Sequence, residues 1–382
     1  MLEKQLVFPR EEYESRIKRL QQRMAEQSLD VLLVFTPENT HYLCGYQSIG
    51  YSSFQCLAVS SQGRLMLLVR EMELGCAEYS STVDDIVLYS DNQAPAEALL
   101  AALDARKLAK GRVGVEEEAQ FLTARDFGRV MAKLGRAGLP VHGLVEALRA
   151  IKSPQEIECL RESAHITEAG MAEGLAAVKA GVSENDIAAA MFHGCMARGG
   201  EYLSSQPIIT AGRKSGVAHT TFHRYVLKRG DVALLELGGC YNRYTAALMR
   251  TGCVGEPPAE VRRMYKTCVE GLAACIAAIK PGVRAEVPHR ACQAVIDDAG
   301  YTENFRKRAG YSVGVSFPPD WGEGHIVSLS EGDQTILQPG MVFHIPPALR
   351  RYGMYGVGVS ETVLVTKTGA EILTHLSQDL VA

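Results

Sequence analysis

The sequence predicts a small α/β domain over residues 1–150, followed by a larger α+β domain over residues 151–382. Three observations predict it. At 382 residues the chain exceeds the usual size of one domain. In its first third, short apolar runs alternate with amphipathic ones. From Ser153 onward that alternation gives way to pairs of long helical patterns separated by groups of strand-like runs.

The elements follow in order. Residues 11–28 carry Tyr13, Ile17, Leu20 and Met24 at helical spacing. The apolar run 31–35, bounded by Asp30 and Pro37, reads as a buried strand, and 57–60, 65–69 and 113–116 repeat the signal. Residues 96–108 form an Ala/Leu-rich helix with Pro95 at its start, where a missing N–H costs little. Ser153 is a plausible cap with Pro154 in the first turn, which opens a long helix toward Lys179. Ser183 caps a second helix, 184–198, that ends at Gly199 and Gly200. Strands are expected at 206–210, 232–237 and 247–254, helices at 258–279 and 287–299, and strands again at 341–345 and 362–366. No short-period repeat interrupts this order.

Composition narrows the function classes. Apolar residues make up 47% and charged ones 22%, ordinary for a globular chain able to bury a sizeable core. A net charge of −4 argues against a nucleic-acid binder, which carries a basic surplus or stripe. No apolar run reaches the roughly 18 residues of a membrane span, and the N-terminus lacks the apolar segment of a signal peptide. The ten cysteines lie singly without a C-x-x-C pair, which fits reduced, mostly buried thiols in a cytoplasmic protein.

Five polar residues stand out from apolar surroundings: His219, Glu236, Tyr311, His344 and Glu361. Glu236 lies between Leu235 and Leu237, so strand alternation puts it on one face with Leu234 and Gly238, pointing inward. A carboxylate there must be paired or neutralised. Taken singly, each residue also has an ordinary structural reading. A Glu at the edge of an apolar strand is commonly salt-bridged, and a lone His such as His344 is commonly a satisfied core residue; His193, His223 and His375 carry weaker signals still.

The order and setting of these residues resembles the creatinase/prolidase/methionine-aminopeptidase superfamily. The segment from Lys152 to Ile157 is similar to that family's approach to its first long helix. The stretches 229–238, 244–251, 338–343 and 359–366 resemble its ligand-bearing strands. The resemblance covers nearly the whole chain. It implies a pita-bread catalytic domain preceded by a creatinase-type N-terminal domain, and a homodimer in which one subunit's N-terminal domain leans over its partner's site.

The departures from the pattern carry the functional reading. The family's peptidases hold two metals with Asp, Asp, His, Glu and Glu. In this sequence those positions match Glu236, Ala247, Tyr311, Pro346 and Glu361. Two carboxylates remain, too few to bridge and neutralise a pair of divalent ions. No metal or other cofactor is therefore expected. His219 matches the family's active-site His, whereas the carboxylate of creatinase-like members matches Met249. The stretch 236–244, the stretch 310–323 with its run Phe317-Pro318-Pro319-Asp320-Trp321-Gly322-Glu323, and residues 341–344 resemble the metal-free ectoine hydrolase branch. Residues 345–353 depart from it, and the lid-like segment 45–54 carries fewer large aromatics.

The resemblance implies hydrolysis of a C–N bond in a small cyclic amidine, ectoine first among them. Such a carbon is already electrophilic. Glu236 is expected as nucleophile or water-activating base, His219 as proton shuttle, and Glu361 as the group that orients His219 or faces the amidinium. His344 and Tyr311 would donate hydrogen bonds to the tetrahedral centre. Tyr51, Phe54 and Trp321 would wall the cation, with Asp320 and His325 as further binding candidates, one of them across the dimer interface. The alternatives are a related amidine, guanidine or amide hydrolase, an Xaa-Pro peptidase, and a non-enzymatic binding module.

Overall fold

Two bodies with separate hydrophobic cores divide the chain, one ending at Arg149 and the other starting at Ala150. The computed structural model describes residues 3–305 and 308–382.

The first body is a six-stranded mixed sheet. Its strands are β1 (Val31–Val34), β2 (Cys56–Ser60), β3 (Leu65–Arg70), β4 (Ile86–Tyr89), β5 (Val113–Glu116) and β6 (Gly138–Val141), in the order β4-β3-β2-β1-β5-β6. The β1–β2 and β2–β3 pairs are antiparallel and the others parallel. Alternation explains why β1 is apolar throughout: Leu32 and Val34 join the core under helix α1 (Arg10–Glu26), while Val31 and Leu33 join the one packed with later helices. Those helices include α4 (Pro95–Ala105) and α5 (Ala124–Leu134); the shorter α2 (Pro37–Cys44), α3 (Leu74–Ser80) and α6 (Glu146–Arg149) complete the body.

The second body opens with α7 (Pro154–Ala176), whose Ser153 side chain accepts the Glu156 N–H while the Glu156 carboxylate accepts the Ser153 N–H. Helix α8 (Glu184–Ala197) pairs with it, and both cover the antiparallel sheet of β7 (Ile208–Ala211), β8 (Val232–Tyr241) and β9 (Tyr244–Cys253). A second pair, α9 (Ala259–Ala278) and α10 (Glu286–Asp298), packs on a five-stranded sheet. Its strands are β10 (Gly310–Ser312), β11 (Ser328–Leu329), β12 (Val342–Ile345), β15 (Glu361–Val365) and β16 (Ala370–Ile372). The hairpin of β13 (Ala348–Arg351) and β14 (Tyr355–Gly358) lies between β12 and β15 in sequence. No helix of the described residues is long and apolar enough to cross a membrane. All ten cysteines are free, and all but Cys76 are buried.

Candidate active site

A cleft of about 620 Å³ opens in the second body, a volume suited to a small molecule. Its floor comes from β7 and β8. Ile208 lies opposite Glu236 and Thr210 opposite Leu234, and all four line the cleft. The alternation read from the sequence therefore places the Glu236 side chain, half-buried, on the cleft face. At Gly238, two residues on, an added Cβ would collide with Thr245 Cγ2 at 2.5 Å and reach the Trp321 indole at 3.5 Å.

His219 stands on the wall, in the loop after β7, exposed and with a left-handed backbone (φ 57°). That conformation costs a residue with a Cβ about 1 kcal/mol. The loop is pinned by Glu184 at the start of α8, fully buried. Its carboxylate accepts the N–H groups of Ala211 and His223 and pairs with Lys214 at 2.5 Å. Across the cleft the β13–β14 hairpin brings Ala348 and Arg350. The loop and the hairpin touch backbone to backbone at two glycines: a Cβ on Gly216 would collide with the Arg351 carbonyl, and one on Gly356 with that of Ser215.

Tyr311 closes the remaining side. Its partner across β10–β12 is His344, with ring centroids 5.3 Å apart and edge to face. The Tyr311 hydroxyl receives the Trp321 Nε1–H at 3.0 Å and lies 2.9 Å from His344 Nδ1; His344 Nε2 lies 2.7 Å from Ser360 Oγ, which accepts the Met249 N–H. Burial first, and the charge of Glu236 second, push the Tyr311 phenol well above its ordinary range, so it stays protonated. The motif run around Trp321 is anchored at its end by a buried ion pair, Glu323 with Lys152 at 2.8 Å.

The structure thus brings Glu236, His219 and Tyr311 to one cleft, with Trp321 and His344 behind Tyr311. His344 is fully buried and outside the lining, so any effect it has on a ligand passes through Tyr311. Glu361 is not in the cleft. At the start of β15 the side chains of Thr362 and of Ser360 just before the strand reach the β9 amides of Ala247 and Met249, and Glu361 between them points the other way. There it pairs with the buried Arg250 at 2.7 Å and accepts bonds from Thr374 and Gln378. This corrects the expectation that Glu361 orients His219 or faces the substrate; the neighbour that faces His344 is Ser360. Asp320 and His325 are exposed and outside the lining, Asp320 capping its own turn by accepting the Gly322 N–H. Tyr51 and Phe54 belong to the first body, where Tyr51 packs on Phe121 and Phe54 on Phe35 and Tyr89. The sequence reading passed over Thr210 and Arg350. For Arg350 a signal existed: it shares the 2-residue strand period with Ala348 and sits in the stretch that departs from the family pattern.

A dinuclear centre does not fit these residues. Ala247 and Pro346 offer no side-chain ligand, and no group of three or more His, Cys, Asp or Glu among the described residues could hold a metal ion.

A mixed sheet in one body, paired helices on antiparallel strands in the other, and a cleft between strand floor and hairpin are the features of a two-domain pita-bread hydrolase. Residues 16–151 match the creatinase/prolidase N-terminal domain and residues 158–367 match metallopeptidase family M24, and the chain belongs to that family. It is 30% identical to an ectoine hydrolase from Halomonas elongata, over all of this chain and 99% of that one. It is 32% identical to an uncharacterized hydrolase/peptidase from Sinorhizobium fredii, over 98% of each. Among solved structures it resembles an Xaa-Pro dipeptidase from Bacillus anthracis (TM-score 0.84, 23% identity, 97% of this chain and 99% of that one). It also resembles a prolidase from Pyrococcus horikoshii (TM-score 0.82, 23% identity, 96% and 100%).

Proposed function

We propose that this hydrolase opens a C–N bond in a small cyclic amidine, ectoine or a close analogue, without a metal ion. The observation that carries the reading is the meeting of Glu236, His219 and Tyr311 in one cleft, and the resemblance to the family, which matches two of its metal-ligand positions to Ala247 and Pro346, supports the absence of a metal. The full-length likeness to an ectoine hydrolase supports it. An amidinium carbon needs no Lewis acid to become electrophilic. Glu236 meets that carbon, either taking a proton from the water that adds, or adding its own oxygen to give a covalent intermediate from which water then displaces the carboxylate. His219 carries the proton to the departing ring nitrogen as the C–N bond breaks, and the products are an amide and a free amine. The neutral Tyr311 hydroxyl, held by Trp321 and His344, donates to the tetrahedral centre. A peptidase reading would draw on the prolidase-like fold, but it asks for ligands these positions lack. In this proposal the partner is a small-molecule substrate, and the chain works as a homodimer, which sedimentation tests.

The deciding experiment is Glu236→Gln in a ring-opening assay on ectoine and related cyclic amidines. Turnover should fall at least ~100-fold. Unchanged turnover would remove Glu236 from the chemistry, and a wild-type protein inert on every cyclic amidine would sink the substrate class.

A further inference from the structure

The cleft carries two buried polar side-chain atoms that have no hydrogen-bond partner among the described residues: Thr210 Oγ1 and Arg350 Nε. Among those residues Arg350 Nε has no acceptor, and the charge that most favours its protonated form is that of Glu236, which lines the same cleft. Its equals in the same body are treated differently. Every guanidinium nitrogen of Arg243 has an acceptor, on Ser316, Tyr202 and Ser204. Every one of Arg250 does too, on Glu361 and four backbone carbonyls. Arg308, the other arginine lining the cleft among the described residues, stacks on the Tyr311 ring and donates to Ser328. A partly buried cation without a hydrogen-bonded anion is costly: burial disfavours the charged form of this guanidinium, and the charge of Glu236 offsets that only in part. An anion arriving in the cleft would remove that cost.

We propose that Arg350 is the anchor for a substrate carboxylate, with Thr210 as an additional donor, and that the cleft selects small zwitterions. The amidinium end lies at Glu236 and the carboxylate end at Arg350. Two opposite charges, one on the floor and one on the hairpin wall, fix the direction in which the ligand enters, so the reacting carbon is presented to Glu236 rather than the far side of the ring. Arginine suits this role because its planar fork meets a carboxylate with two parallel hydrogen bonds. The proposal rests on the amidine-hydrolase reading for the cationic end only; the anionic end stands on Arg350 and Thr210 themselves.

The test is calorimetric binding of two probes: ectoine, and the same methylated ring without its carboxylate (2-methyl-1,4,5,6-tetrahydropyrimidine). Wild type should prefer the carboxylate-bearing probe by ~10-fold or more. Arg350→Met should weaken that probe by ~30–100-fold and its partner by less than ~3-fold, with Arg350→Lys recovering part of the loss. No preference in wild type, or equal weakening of both probes in Arg350→Met, overturns the anchor. Hydrolysis is scored separately. A protein that shows the Arg350-dependent preference yet cleaves no amidine keeps the anchor and loses the proposed function.

Discussion

Tyr311 is the residue whose surroundings say most about the chemistry. It is fixed by Trp321 and His344 before any ligand arrives. Its pKa is raised in the folded protein, so the phenol is a neutral donor throughout the neutral range and ionises only above it. Tyr311→Phe should lower kcat by about 100-fold with little change in KM, the mark of a bond made in the transition state. The wild-type pH–rate profile should show no ionisation below about pH 10 that disappears in Tyr311→Phe. An alkaline limb that does disappear would mean the phenol is lost as a donor within the working range. The sequence made Tyr311 and His344 visible as polar residues in apolar strands, but not their relation. That relation is a cross-strand pairing between segments 33 positions apart, which periodicity within one segment cannot register.

At the scale of the element, β15 and the residue that leads into it divide two faces between tasks. Ser360 and Thr362 bond the backbone of β9, while Glu361 holds Arg250. Removing one member of so buried a pair leaves the other charge uncompensated. Glu361→Ala should therefore cost about 3–5 kcal/mol of stability, read by chemical denaturation. Arg250→Met combined with Glu361→Leu should cost less than either single change. If Glu361→Ala instead left stability intact and abolished turnover, the structural role of Glu361 would fail. Matching by residue identity picked out the carboxylate; the period of two in a strand decides which face it serves, and strand alternation at 359–362 held that information. Elsewhere the element boundaries were legible to within a few residues wherever apolar period and cap coincided, as at Ser153 and Ser183. The hairpin 348–358 was not, because its short strands carry arginines and glycines in place of an apolar run.

Two predictions concern the molecule as a whole. The first body contains a buried carboxylate, Glu116, that accepts the N–H groups of Phe35 and Thr36 and an Asn39 amide shared with Glu146. Burial, then the charge of Glu146, raises its pKa from 4.5 to about 6. The folded form thus holds this proton more tightly than the unfolded chain. Its stabilising contribution is complete below the unfolded pKa and is lost as pH rises through about 6, a difference of up to about 2 kcal/mol. Denaturation midpoints between pH 4.5 and 7 should show this loss in wild type and a flatter profile in Glu116→Gln. The second prediction concerns cofactors: exhaustive dialysis against a chelator should leave amidine hydrolysis unchanged. Loss of activity restored by manganese, cobalt or zinc would overturn the metal-free reading.

Arg250 is held not only by Glu361 but by the carbonyls of Leu376 and Ser377, Tyr265 bonds the carbonyl of Gln378, and Val381 accepts the Cys253 N–H. The tail is thus a strap across the catalytic body. A protease that trims it would withdraw acceptors from a buried cation and unseat the sheet under the cleft. Nicking at this end should register as global unfolding rather than as a shortened, active enzyme, so the body carries its own check on the integrity of its C-terminal segment.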